Sequence, residues 1–218
     1  MSTLFDLIKE YALIGYFKIL PFVHKTTPDA WNHGDKGDVV LIPGLHETAF
    51  SLLKVGNVLN VLGYRIHTIP DFSSIAPVQK IHERLENVVK SLDGEEIILV
   101  SHSKGGVVAR YFLTQSPLAD RVKSAVTISA PHHGSLFGKL QYHNLHELDH
   151  NSEVLMTIND SPDHAKKIIN IYPRLDNHVL PNRNLLLDGA KNIEIDIVGH
   201  TRILASDKLF DELIRVLK

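Results

Sequence analysis

Cysteine is absent from this 218-residue chain. Disulfides, thiolate nucleophiles and cysteine-ligated zinc are therefore excluded. The compartment is not thereby fixed, because many secreted proteins also lack disulfides. Charge of one sign is lacking too. The formal net charge is -2 and the pI is near 6.7. With no block of like charges, nucleic acid is not an expected partner. Long apolar runs are also missing. Within residues 1–22 the longest uncharged stretch is Tyr11 to Phe17, far short of the ~20 residues that span a bilayer. Asp6 precedes that stretch, and Lys9, Glu10 and Lys18 interrupt the apolar residues around it. A secretory signal does not look like this. The expectation is no transmembrane segment and a cytoplasmic location.

What is present reads as one globular domain over 1–218. Hydrophobic residues make up 44% and charged residues 22%, which excludes disordered and fibrous classes. Leu4, Leu7, Ile8 and Tyr11 fall at helical spacing. Residues 1–22 are therefore expected to form an amphipathic helix packed on the domain. A peripheral membrane or dimer contact is the alternative.

From residue 37 strands and helices alternate. Val39 to Ile42 and Ile97 to Val100 are short β-branched and apolar runs, suited to strands buried on both faces. Arg65 to Ile69, Val122 to Ser129 and Lys167 to Tyr172 read as further strands. Ile193, Ile195 and Ile197 alternate with Glu194 and Asp196, so the last strand is expected to be half exposed. Helices are expected near 51–62 and 104–115. Another is marked by the stripe Val78, Ile81, Leu85, Val88 and Leu92, and a last one by Ser206 as N-cap. The pattern implies a three-layer α/β fold, with a mostly parallel sheet of about six strands. Residues 136–165 break the alternation yet carry Leu140, Leu145, Leu148, Val154 and Leu155. They are the candidate lid or cap.

The run Ile97-Ile98-Leu99-Val100-Ser101-His102-Ser103-Lys104-Gly105-Gly106 is a strand, a turn of small residues and a helix start. Such a turn holds its serine in a strained backbone conformation and pushes the hydroxyl out at the sheet's edge. Ser103 is the candidate nucleophile. Ser101 stands where G-x-S-x-G has its first glycine.

Together with Leu41-Ile42-Pro43-Gly44 and the late Gly199-His200, this run resembles bacterial lipases and related esterases of the α/β-hydrolase superfamily. The resemblance covers residues 37–217. It implies an α/β-hydrolase fold and a Ser–His–Asp triad in the chain order serine, acid, histidine. His200 follows the last strand and is the implied base. Asp176, in Asp176-Asn177-His178-Val179-Leu180-Pro181, matches the family's D-x-x-V-P pattern with one extra residue and is the implied acid. The N–H groups of Leu45 and Lys104 are the implied oxyanion donors. His46, His102, His132 and His133 are candidates to line the substrate pocket.

No cofactor or metal is expected. His143, His146 and His150 would share a helix face and are the only candidate ligands, set against an ordinary solvated lid face. The resulting expectation is a carboxylic-ester hydrolase acting through an acyl-enzyme on a small-molecule or lipid ester. Alternatives are an acyltransferase, thioesterase or amidase with the same triad, or a catalytically silent binding module.

Overall fold

Six parallel strands run side by side in the order β2-β1-β3-β4-β5-β6. They are β1 (Gly37–Ile42), β2 (Tyr64–Thr68), β3 (Ile97–His102), β4 (Val122–Ile128), β5 (Ile168–Leu175) and β6 (Lys191–Val198). The computed structural model describes residues 2–23, 26–94, 96–140 and 142–218. Met1 and Gln141, from the two segments singled out above, lie outside the described residues.

The chain passes from β1 outward to β2, then crosses back to place β3 on the other side of β1. In such sheets ligands bind beyond the carboxyl ends of the strands where the order reverses. Here that point lies between β1 and β3. Their register pairs Ile42 with Ser101, so Pro43-Gly44-Leu45 and His102-Ser103-Lys104 emerge side by side.

The strands are apolar on both faces because helices cover both. Val40, Ile42, Ile97 and Leu99 pack against α3 (Val78–Ser91), α4 (Lys104–Gln115) and α5 (Glu153–Asn159). Val39, Leu41, Ile98 and Val100 face the opposite way. They meet α1 (Ser2–Val23), α2 (Leu53–Val61) and α6 (Asp207–Leu217). Ser206 caps α6 by accepting the Lys208 N–H, as its position predicts. Strand β5 runs beyond the expected end at Tyr172, through Pro173 to Leu175. Proline cannot donate to a ladder, and the β5–β6 register shifts between Pro173 and Leu175.

Helix α1 forms where its spacing predicts but turns the other way. Leu4 is 69% exposed, and Ile8 and Tyr11 face outward as well. The helix docks through Glu10, Phe17 and Leu20, all buried. An i, i+7, i+10 set shares one helix face. That face wins because it carries a carboxylate with buried donors to satisfy, whereas apolar residues occupy every side of this helix. Among the described residues, no helix is long and apolar enough to cross a membrane.

Of residues 136–165, the second half contributes Val154, Leu155 and Ile158 to the core through α5. The first half consists of 3-10 turns at Leu136–Lys139 and Leu145–Leu148. It borders the carboxyl edge of the sheet.

Candidate active site

Ser103 occupies the tight turn between β3 and α4 with φ 51° and ψ -124°. A non-glycine residue in that region is strained and needs its surroundings to hold it. The surroundings are crowded enough. A Cβ on Gly105 would stand 2.2 Å from the Ile42 carbonyl oxygen, and one on Gly44 would stand 2.8 Å from the Ser103 Cβ. The Ser103 N–H donates to the Ile128 carbonyl at 2.9 Å. Ser101 is fully buried, and its hydroxyl donates to the Val126 carbonyl at 3.2 Å. A serine is tolerated in the usual glycine position because it is small and its one polar atom is satisfied.

His200 follows β6, and its Nδ1 lies 2.7 Å from Asp176 Oδ2. Asp176 follows β5 and is completely buried. Its other oxygen accepts the His178 and Val179 N–H groups at 2.7 and 2.8 Å. Burial alone would raise the Asp176 pKa. The His200 charge and hydrogen bond, with the two N–H donors, outweigh it and hold the carboxyl below its ordinary 3.8. The backbone of His200 is fixed as well. Asn177 Oδ1 accepts its N–H at 2.9 Å, and its carbonyl lies 3.1 Å from His102 Nε2.

Ser103 and His200 open onto one cavity of about 470 Å³, also lined by Leu45 and Val179. No hydrogen bond joins Ser103 and His200 among the described residues; both line the cavity. Lys104 begins α4, so its N–H has no acceptor within the helix. Leu45 begins the turn after β1 and lines the cavity. The far wall is apolar: Ile14 and Phe17 come from α1, and Phe137, Leu140 and Leu145 from the 136–148 segment.

The four pocket histidines separate. His46 lines this cavity. His102 does not. It is buried beneath His200, ring centroids 4.8 Å apart, because it points back from the last residue of β3. His132 is also buried away from the cavity. It contacts Thr127 and Asn170, and Arg110 donates to its carbonyl. Burial and the Arg110 charge push its pKa well below the ordinary value, so it stays neutral in the core. His133 faces a separate concavity of about 550 Å³ with His150 and Arg183.

The helix on which His143, His146 and His150 would share a face does not form. His143 has φ 48°, a left-handed conformation that interrupts a helix. Its ring packs edge-on against Tyr142 and His46, while His146 sits in a 3-10 turn and His150 in the other concavity. Among the described residues, no group of three or more His, Cys, Asp or Glu is placed to hold a metal ion.

Several residues packed around the candidate site carry no sequence signal. Glu47 Oε1 lies 2.8 Å from His102 Nδ1, and Oε2 accepts the Gly44 N–H at 2.7 Å. Glu147 pairs with the buried Lys104 ammonium at 3.0 Å. Burial pushes the Lys104 pKa down despite that partner. His178 lies against His200, centroids 4.7 Å apart. Burial and then the His200 charge push its pKa down to about 4. It therefore stays neutral beside His200 at physiological pH. Glu10 reaches the same loop from α1, with carboxylate oxygens 2.7 Å from the N–H groups of Thr201 and Arg202.

Comparison with known proteins agrees with the fold. A family model described as "PGAP1-like alpha/beta domain" matches residues 47–172. Among curated proteins, none matches by sequence. Of solved structures, the lipase BlEst2 of Bacillus licheniformis in mature form superposes with TM-score 0.70 at 18% identity, covering 85% of this chain and 94% of that one. MGS-MChE2, an α/β hydrolase from a lagoon-sediment metagenome of Mar Chica, Morocco, gives TM-score 0.60 at 20% identity, covering 84% and 90%. Est1E of Butyrivibrio proteoclasticus gives 0.57 at 16%, covering 84% and 85%. At such identities the likeness is one of fold, and it is the three-layer α/β-hydrolase fold that the family resemblance implies.

Proposed function

We propose that this chain, which belongs to the PGAP1-like alpha/beta domain family, is a serine hydrolase that cleaves carboxylic esters through an acyl-enzyme on Ser103. One observation carries the reading. His200, 2.7 Å from the buried Asp176, and a Ser103 held at positive φ line the same cavity at the sheet's switch point.

In the first step Ser103 Oγ attacks the ester carbonyl and His200 Nε2 takes its proton. Asp176, on Nδ1, fixes the tautomer and stabilises the imidazolium that forms. The negative charge that develops on the carbonyl oxygen meets the N–H groups of Leu45 and Lys104. The C–O bond breaks, and the leaving alcohol takes the proton from His200. Water then attacks the acyl-enzyme carbonyl as His200 accepts its proton; the acyl–Oγ bond breaks, His200 returns the proton to Ser103 Oγ, and the acid departs.

The acyl part occupies the apolar wall of Ile14, Phe17, Leu140 and Val179. The 136–148 segment and α1 act as its cover. The outward face of α1 favours lipid esters over small soluble ones. Phe5, Ile19 and Phe22 are all more than half exposed there, beside a cavity whose rim includes the exposed Phe137 and Leu140. Contact with a lipid surface would bury such residues favourably.

The test is Ser103→Ala. Hydrolysis of a nitrophenyl ester falls at least about a thousandfold, the melting temperature holds, and a fluorophosphonate labels the parent but not the variant. Undiminished activity in the alanine variant would overturn the assignment.

A further inference from the structure

We infer that Glu10 is a positioning residue for His200, so that helix α1 belongs to the catalytic machinery as well as to the cavity wall. The inference rests on His200 being the base. Glu10 is 0% exposed. Its Oε1 accepts the Thr201 N–H and its Oε2 the Arg202 N–H, each at 2.7 Å, across 191 and 192 residues of sequence. Those donors follow His200 directly and open the 3-10 turn Arg202–Ala205. N–H groups at a turn's start have no local acceptor. A carboxylate there makes charge-assisted bonds, stronger than neutral ones.

The same carboxylate crowds the residue before His200. Gly199 has φ 121°, and a Cβ there would stand 2.6 Å from Glu10 Oε2. Glu10 therefore meets the backbone on both sides of the base. One helical turn earlier, Asp6 pairs with the Arg202 guanidinium at 2.7 Å. Arg202 also donates to the Val198 carbonyl at 3.0 Å.

The remaining supports of His200, from Asp176, Asn177 and His102, come from the edge of the sheet. Glu10 comes from α1, which also gives the cavity Tyr11, Ile14 and Phe17. It lies outside the stretch matched by the family model. A helix needing only to pack would carry an apolar residue at this buried position. Burying a carboxylate is costly unless its bonds are made, and here each oxygen meets a donor of the base loop. Displacing the loop by about 1 Å would cost on the order of a hundredfold in rate, because proton transfer depends on that geometry.

The test uses the full chain with Glu10→Gln, Glu10→Leu and the control His200→Ala. A nitrophenyl ester and a fluorophosphonate titration of active sites give kcat and KM per folded enzyme. Glu10→Gln keeps the shape and one acceptor, and is expected to lose about tenfold in kcat; Glu10→Leu keeps only the packing and is expected to lose about a hundredfold. KM should stay within about twofold in both, a split that a purely structural role would not produce. Should Glu10→Leu fail to fold, Glu10→Gln decides. A folded Glu10→Gln with parental kcat would overturn the inference, provided His200→Ala is inactive. An active His200→Ala would instead sink the assignment of the base.

Discussion

The Glu47 carboxylate lies against the buried His102 imidazole, Oε1 to Nδ1 2.8 Å, and this pair links the two halves of the candidate site. Glu47 holds the Gly44 N–H, next to the proposed oxyanion donor Leu45. His102 Nε2 lies 3.1 Å from the carbonyl of His200. Burial disfavours charge on each partner. Their mutual attraction outweighs it, leaving the Glu47 pKa below its ordinary 4.5 and the His102 pKa above its ordinary 6.5.

The pair makes a prediction about pH. A depressed carboxylate contributes its full stability above its unfolded value and loses it as pH falls through the folded value. A raised histidine contributes fully below its unfolded value and loses its share as pH rises through the folded one. Both contributions are complete between the two ordinary values, 4.5 and 6.5. Glu47→Gln should cost about 3 kcal/mol in that window, and less on either side. Thermal melts of parent and variant across pH check this; a gap that keeps widening above the window would contradict it.

How much of this was legible in the chain depends on the range of the signal. The strands of the core are short β-branched runs, and the Ser103 turn is a local pattern of small residues, so both could be read directly. Asp176 and His200 were placed by chain order and resemblance, and they meet in space. Glu10 and Glu47 were invisible, because their partners are backbone groups and a histidine far along the chain. The orientation of α1 was misread because spacing finds an apolar stripe but cannot say which side docks when apolar residues lie all round. The expected histidine face at 143–150 presumed a helix that the left-handed His143 interrupts.

Ser101→Gly places the commoner residue two positions before Ser103. It removes the bond to the Val126 carbonyl and adds backbone freedom to the unfolded chain. A loss of about 1 kcal/mol is expected, with kcat unchanged. Ser101→Val should be much worse, since a branched side chain has no room where the strand and helix nearly touch. Urea melts and nitrophenyl ester kinetics on both variants check the contrast.

Asp176→Asn keeps the shape of the acid and an oxygen for the His178 and Val179 N–H groups. Its amide would face His200 Nδ1 as a donor and so favour the wrong tautomer. An expected fall of about 10⁴-fold in kcat follows, with little change in melting temperature. Because the parent carboxyl is held below its ordinary 3.8, protonation of Asp176 should not set the acid limb of the parent's rate profile. A limb that moved with Asp176 would be inconsistent with that.

Ile14 tests the acyl wall from the helix side. It is half-buried on α1 and lines the cavity of about 470 Å³, so exchanging it should leave the core intact. Ile14→Trp fills space where the end of a long acyl chain would lie. Ile14→Ala opens the same space. Each methylene that gains or loses contact in such a pocket changes kcat/KM by about tenfold. The tryptophan variant is therefore expected to lose about tenfold on nitrophenyl octanoate while keeping its rate on the acetate. The alanine variant should lose less on the octanoate and shift its optimum to longer chains. The two shifts run in opposite directions, which separates a wall from a general disturbance of α1. If both variants instead lost activity equally on every chain length, Ile14 would be acting through the seating of the helix, and the acyl chain would have to run along the 136–148 side of the cavity.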